Sequence, residues 1–108
     1  MRVIWLAHAE AALRNTEEYI LQKYGEISRE RFMLEVEDIA YLLEKMPELG
    51  HFEPLLTNYE QGYRSIVINH LNKLIYYIKG NEIIIVALWD CRREPKKLIK
   101  DMKLPQTD

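Results

Sequence analysis

Seven consecutive residues, Ile83 to Trp89, carry no polar side chain, and the first four are β-branched. The run is far too short to cross a bilayer as a helix. β-Branched side chains sit comfortably in extended backbone. A strand with one wet face alternates apolar and polar residues, and this one does not alternate. The run therefore reads as an interior strand covered on both faces.

The neighbouring segments read as follows. Arg2 to Leu6 is a strand, with Val3 and Trp5 on one face and Ile4 and Leu6 on the other. From His8 to Tyr24 the apolar period changes: Ala9, Ala12, Leu13, Thr16 and Ile20 make one stripe of a helix. Gly25 is its stop. A second helix is expected to start at Ser28 as N-cap, with Ile27 and Phe32 as a hydrophobic staple. Its buried stripe is Phe32, Val36, Ile39, Ala40, Leu43 and Met46, and Pro47 ends it. Two long helices joined by about three residues form an antiparallel hairpin. Residues 51–62 read as loop. Arg64 to Ile68 and Lys73 to Ile78 read as strands, and Gly80-Asn81 is a hairpin turn before the apolar run. Pro95 opens a last helix, with Lys96, Lys100 and Lys103 on one face and Leu98 and Met102 on another. The expected fold is α+β in a single domain, residues 1–108. It comprises an N-terminal strand, an antiparallel helical hairpin, a three-stranded antiparallel meander completing one sheet, and a short C-terminal helix.

Charge divides the chain. Residues 1–60 carry six Lys/Arg and twelve Asp/Glu, whereas residues 61–108 carry nine and five. An acidic partner or a polyanion is expected to meet the basic C-terminal half. The lone Cys91 forms no internal disulfide, and charged Arg2 precedes only a brief apolar stretch. Both features fit a cytoplasmic protein without a membrane segment. His8, His51, His70 and Cys91 lack metal-ligand spacing, and no phosphate-binding glycine motif occurs, so neither metal nor cofactor is expected. Cys91 lies beside Arg92 and Arg93. Such cations lower a thiol pKa, whereas a filler at a strand end is inert.

The best chemical constellation is cationic. Arg64 opens one strand and Arg92 and Arg93 follow another, so an antiparallel sheet is able to bring them to one concave face. Guanidinium forks match phosphate oxygens. Metal-free RNA cleavage also needs a base and an acid, for which Asp90, Tyr63 and His70 are the candidates. The alternative for Arg64 is a tie between loop and sheet.

Ala9-Glu10-Ala11-Ala12-Leu13, Tyr24-Gly25, Met46-Pro47-Glu48-Leu49-Gly50, Gly62-Tyr63-Arg64, Tyr76-Tyr77-Ile78 and Arg92-Arg93-Glu94-Pro95 occur in a telling order. In order and spacing the chain resembles the RelE/ParE family of bacterial toxins, the toxic halves of type II toxin–antitoxin pairs. The resemblance covers about residues 2–102. It implies an antiparallel sheet packed on the helical hairpin, and a cognate antitoxin that wraps and neutralises the toxin. Arg64, Arg92, Arg93, Lys96, Lys100 and Lys103 are the candidate partner-binding residues. Operator DNA is met only through the antitoxin. RelE-like members cut messenger RNA on the ribosome, and ParE-like members poison DNA gyrase. RelE-like nucleases commonly place His or Tyr near the last strand or tail. Here no His follows His70, no Tyr follows Tyr77, and the pI is near 5.9. The first reading is therefore a ParE-like gyrase inhibitor. The alternatives are a ribosome-dependent nuclease using Arg64 and Arg92 with Asp90, and a decayed toxin that only binds its antitoxin on operator DNA.

Overall fold

The computed structural model describes residues 1–104. The apolar run lies in β5 (Glu82–Asp90), between β1 (Arg2–Trp5) and β4 (Asn72–Lys79). The sheet continues through β3 (Arg64–Ile68) to β2 (His51–Phe52), in the order β1-β5-β4-β3-β2. β5, β4, β3 and β2 are antiparallel neighbours, but β1 pairs parallel to β5, so the sheet is mixed rather than antiparallel. The reason is topological. The chain leaves β1, crosses one face as two helices, and meanders back from the far edge, so it re-enters beside β1 in the same direction.

The helices are α1 (Ala7–Tyr24) and α2 (Glu26–Lys45). One residue, Gly25, separates them, not the expected three. At φ 94° and ψ 179° it occupies backbone space that is essentially reserved for glycine. Gly25 donates its N–H to Leu21 O, and its carbonyl accepts from Arg29 N–H. It therefore closes one helix and opens the next. This elbow leaves no extended residue for Ser28 to cap from, so Ser28 lies in the first turn. Ile27 is 68% exposed and forms no staple with Phe32. α2 stops where expected, because Met46 precedes Pro47 and is pushed out of the helical region, to φ −133° and ψ 78°. Met46 consequently leaves the buried stripe and is exposed.

Both faces of β5 are covered, as its composition requires. On one side Ala9, Leu13, Ile20, Phe32, Val36 and Leu43 of the hairpin meet sheet residues including Tyr76, Ile83 and Ile85. On the other, Ile84, Val86, Ala87 and Trp89 pack with Leu56, Tyr63 and Leu98, which belongs to α3 (Lys96–Asp101). Val86 is the extra residue of a β-bulge, since Tyr76 pairs with Ile85 while Ile75 pairs with Ala87. The bulge resets the alternation. Val86 and Ala87 both lie on the face away from the hairpin, Leu88 returns to the helical side, and Trp89 lies on the far face again. Tyr76 and Tyr77 point to opposite faces, as expected.

The expected loop at 51–62 contains β2 and a 3₁₀ turn, Pro54–Leu56. Lys103 lies past the end of α3 at φ 56°, so it does not continue the helical face of Lys96 and Lys100. Among the described residues no helix is long and apolar enough to cross a membrane.

Candidate functional site

Arg64 and Arg92 do not converge. Arg64 is level with Tyr76, whereas Asp90 at the end of β5 is level with Asn72 and Ile68. The two levels are four residues apart on β3, roughly 13 Å at the rise of a strand. Each guanidinium is also engaged. Arg64 donates to Gly50 O at 2.8 Å and to Glu48 O at 3.4 Å, and its head stacks 4.1 Å from the centroid of Phe52. It ties the exit of the hairpin to the sheet. Tyr76, fully buried on the neighbouring strand, holds the same turn: its hydroxyl donates to Pro47 O at 2.7 Å and accepts from Gly50 N–H at 2.9 Å. Burial raises the Tyr76 phenol pKa, so the group stays protonated and donates. Gly50 is required by crowding, since a Cβ there would come within 2.9 Å of Ser65 O and of the Tyr76 ring.

Arg92 forms a two-pronged pair with Asp90, at 3.0 Å through Nε and 2.8 Å through a terminal nitrogen, and its backbone N–H also donates to Asp90. The Arg92 side chain holds the Asp90 carboxyl below the usual carboxylate range. Such a group is ionised at neutral pH and is a poor proton donor. Arg93 pairs with Asp101 at 2.8 Å and lies 4.3 Å from the centroid of Trp89, so it clamps α3 to β5. Of the other acid–base candidates, Tyr63 is buried edge-on to Tyr77, and burial raises its pKa. His70 is exposed in the β3–β4 turn at φ 67°. Desolvation at the strand end raises the Cys91 thiol pKa, so of the two readings of this cysteine the unreactive one fits. Lys96, Lys100 and Lys103 are exposed, as expected, and no ion pair engages them among the described residues.

The strand-end pair borders a cleft of about 380 Å³ between α1 and the end of β5, lined also by Thr16, Tyr19, Tyr24 and Asn72. Lys23 donates to the Tyr19 hydroxyl at 3.0 Å. Lys23 first, and Arg92 after it, lower the Tyr19 phenol pKa. Tyr19 and Lys23 were not among the sequence candidates. Their spacing, one helical turn apart, was visible, but nothing local links α1 to Arg92. A second unforeseen pair lies on the opposite face: Glu53, 1% exposed, is met by Lys73.

The Asp90–Arg92 pair makes a pH-dependent signature. A carboxyl with a depressed folded pKa stabilises the fold above the unfolded value of about 4, and loses that effect as pH falls through the folded value. In a proton-detected titration Asp90 is expected to protonate at lower pH than free aspartate, and Arg92→Ala to shift it upward. An unshifted Asp90 in the parent chain would show that the pair does not persist in solution.

A helical hairpin over a mixed sheet, with arginines turned onto carbonyls and carboxylates, makes a small α+β domain. No acid–base couple stands beside a free cation among the candidates. The family model of the ParE toxin of type II toxin–antitoxin systems, parDE, matches residues 3–95. The chain therefore belongs to the ParE toxin family. Its fold is similar to a chain from a chromosomal ParDE toxin–antitoxin system of P. aeruginosa, with TM-score 0.67 and 16% identity, over 83% of this chain and 95% of that one. No curated protein matches the chain.

Proposed function

We propose that this toxin is neutralised by a cognate antitoxin and acts by inhibiting DNA gyrase, without catalysis of its own. The observation that supports this reading is the state of the cations. Phosphoryl transfer needs guanidiniums aimed at the reacting phosphate. Here Arg64 caps the hairpin exit and Arg92 is held by Asp90. The sequence offers no His or Tyr after Tyr77 as a replacement acid. The exposed Lys96, Lys100 and Lys103 remain available to an acidic partner.

Purified protein is expected to trap gyrase–DNA cleavage complexes on supercoiled plasmid and to leave messages intact in a translating extract. Primer extension should show no cuts at the ribosomal A site. Discrete A-site cuts that vanish in Arg92→Ala would overturn this reading in favour of the nuclease. Loss of both activities, with antitoxin binding retained, would identify a decayed toxin.

A further inference from the structure

The cleft beside Asp90 runs into a second, of about 260 Å³, with which it shares Ile20, Tyr24 and Asn69. Together they form one groove between the helical elbow and the β3–β4 turn. Its floor is apolar, with Ile20 and Phe32 buried, while Tyr24 is 58% and Leu71 39% exposed. Its two carboxylates are used internally. Asp90 holds Arg92, and Glu35 accepts the Asn69 N–H at 2.8 and 3.2 Å.

Of the cations that line it, Arg92 and Arg93 are paired with Asp90 and Asp101, and Arg31 is not paired among the described residues. In the acidic half of the chain Arg2, Arg14 and Arg29 all pair with glutamates. Arg31 in the groove wall and Lys23 at its rim, on Tyr19 and Tyr24, pair with no carboxylate among the described residues, as is also true of Lys45 away from the groove. Lys23 instead lies over the Tyr19 and Tyr24 rings, 5.4 and 5.7 Å from their centroids. Carboxylates outnumber cations two to one over residues 1–60, yet Lys23 and Arg31 on the helical side of this groove stay unneutralised.

We propose that the groove is a docking site for a segment of a protein partner that sets an apolar side chain on Tyr24 and Ile20 and carboxylates against Lys23 and Arg31. Charge complementarity selects an acidic peptide. A nucleic acid is the weaker fit, because tracking a phosphate backbone takes a row of cations and the chain carries a net charge of −2. The inference rests on the toxin–antitoxin reading and names where the neutralising partner sits. It places an acidic contact in the helical half, which the charge balance alone had assigned to the C-terminal half.

The test uses the full chain and its cognate antitoxin, sought as the product of a small neighbouring frame, titrated calorimetrically at several salt concentrations. The double variant K23E/R31E is expected to bind at least tenfold more weakly than the parent, with a flatter salt dependence. Its thermal unfolding should match the parent, since both side chains are exposed. Acid-to-lysine changes in the partner should restore affinity for K23E/R31E and not for the parent. A complex of unchanged affinity in K23E/R31E would overturn the groove and leave the toxin–antitoxin pairing intact. Absence of any complex with the parent chain would overturn the pairing, and the groove with it. A single-stranded oligonucleotide that binds the parent more tightly than the antitoxin does, and is lost in K23E/R31E, would reassign the groove to nucleic acid.

Discussion

Replacing Lys73 with methionine is expected to destabilise the chain by about 3–5 kcal/mol, because it leaves a carboxylate buried without its counter-ion. Glu53 is 1% exposed and lies under the sheet face opposite the helices. Its carboxylate accepts from Lys73, from the Ser65 hydroxyl at 3.3 Å and from Leu55 N–H at 3.3 Å, so it also caps the 3₁₀ turn. Lys73 is itself 15% exposed at its side chain. Removing one partner is costly; removing both charges is not, since a buried pair gains little over well-packed neutral groups. The double variant Glu53→Gln, Lys73→Met is therefore expected to recover most of the loss, because the amide oxygen still accepts from Leu55 N–H. Urea unfolding of Lys73→Met, of Glu53→Gln and of the double variant measures the coupling. Additive effects would show that the pair is not coupled in the folded chain.

Several of these features were legible in the sequence, for reasons that are local. The apolar run Ile83–Trp89, the stripe Ala9-Leu13-Ile20 and the Gly80-Asn81 turn each declare themselves within a few residues. β2 did not, since His51-Phe52 is two residues long and shows no period. The elbow was misplaced because Ser28 is a good cap in isolation, whereas the freedom of Gly25 makes a cap unnecessary. The bulge at Val86 was hidden by the uniform apolarity of the run, which gives no sign of where alternation resets. At the candidate site the arginines were visible but their partners were not. Arg64 reaches carbonyls fourteen and sixteen residues away, and Lys73 reaches a carboxylate twenty residues away. Of the two readings open for Arg64, the tie between loop and sheet is the one its hydrogen bonds match. The contact between Arg92 and Asp90 spans only two residues but was not anticipated, and it turns an expected free cation into half of an ion pair.

Tyr76→Phe is expected to destabilise the chain by about 2–4 kcal/mol through the loss of a single oxygen, because it strands two backbone groups. The hydroxyl both donates to Pro47 O and accepts from Gly50 N–H, so it bridges the two ends of the turn that carries the chain from α2 to β2. Gly50 is buried, and its close approach to the Tyr76 ring excludes a compensating side chain at that position. Phenylalanine fills the same space on the helical side of the sheet, so the transfer of apolar surface is nearly unchanged and the loss reports hydrogen bonding. Arg64 holds the neighbouring carbonyl of the same turn. The two ties share one segment, so Tyr76→Phe and Arg64→Ala are expected to couple by more than about 0.5 kcal/mol in a double-mutant cycle, as residues in one network do. Amide exchange at Gly50 should accelerate in Tyr76→Phe by more than the global loss of stability explains, because the N–H loses its own acceptor. Exchange at Gly50 that merely follows global unfolding would show that the turn is held by packing and not by the tyrosine hydroxyl.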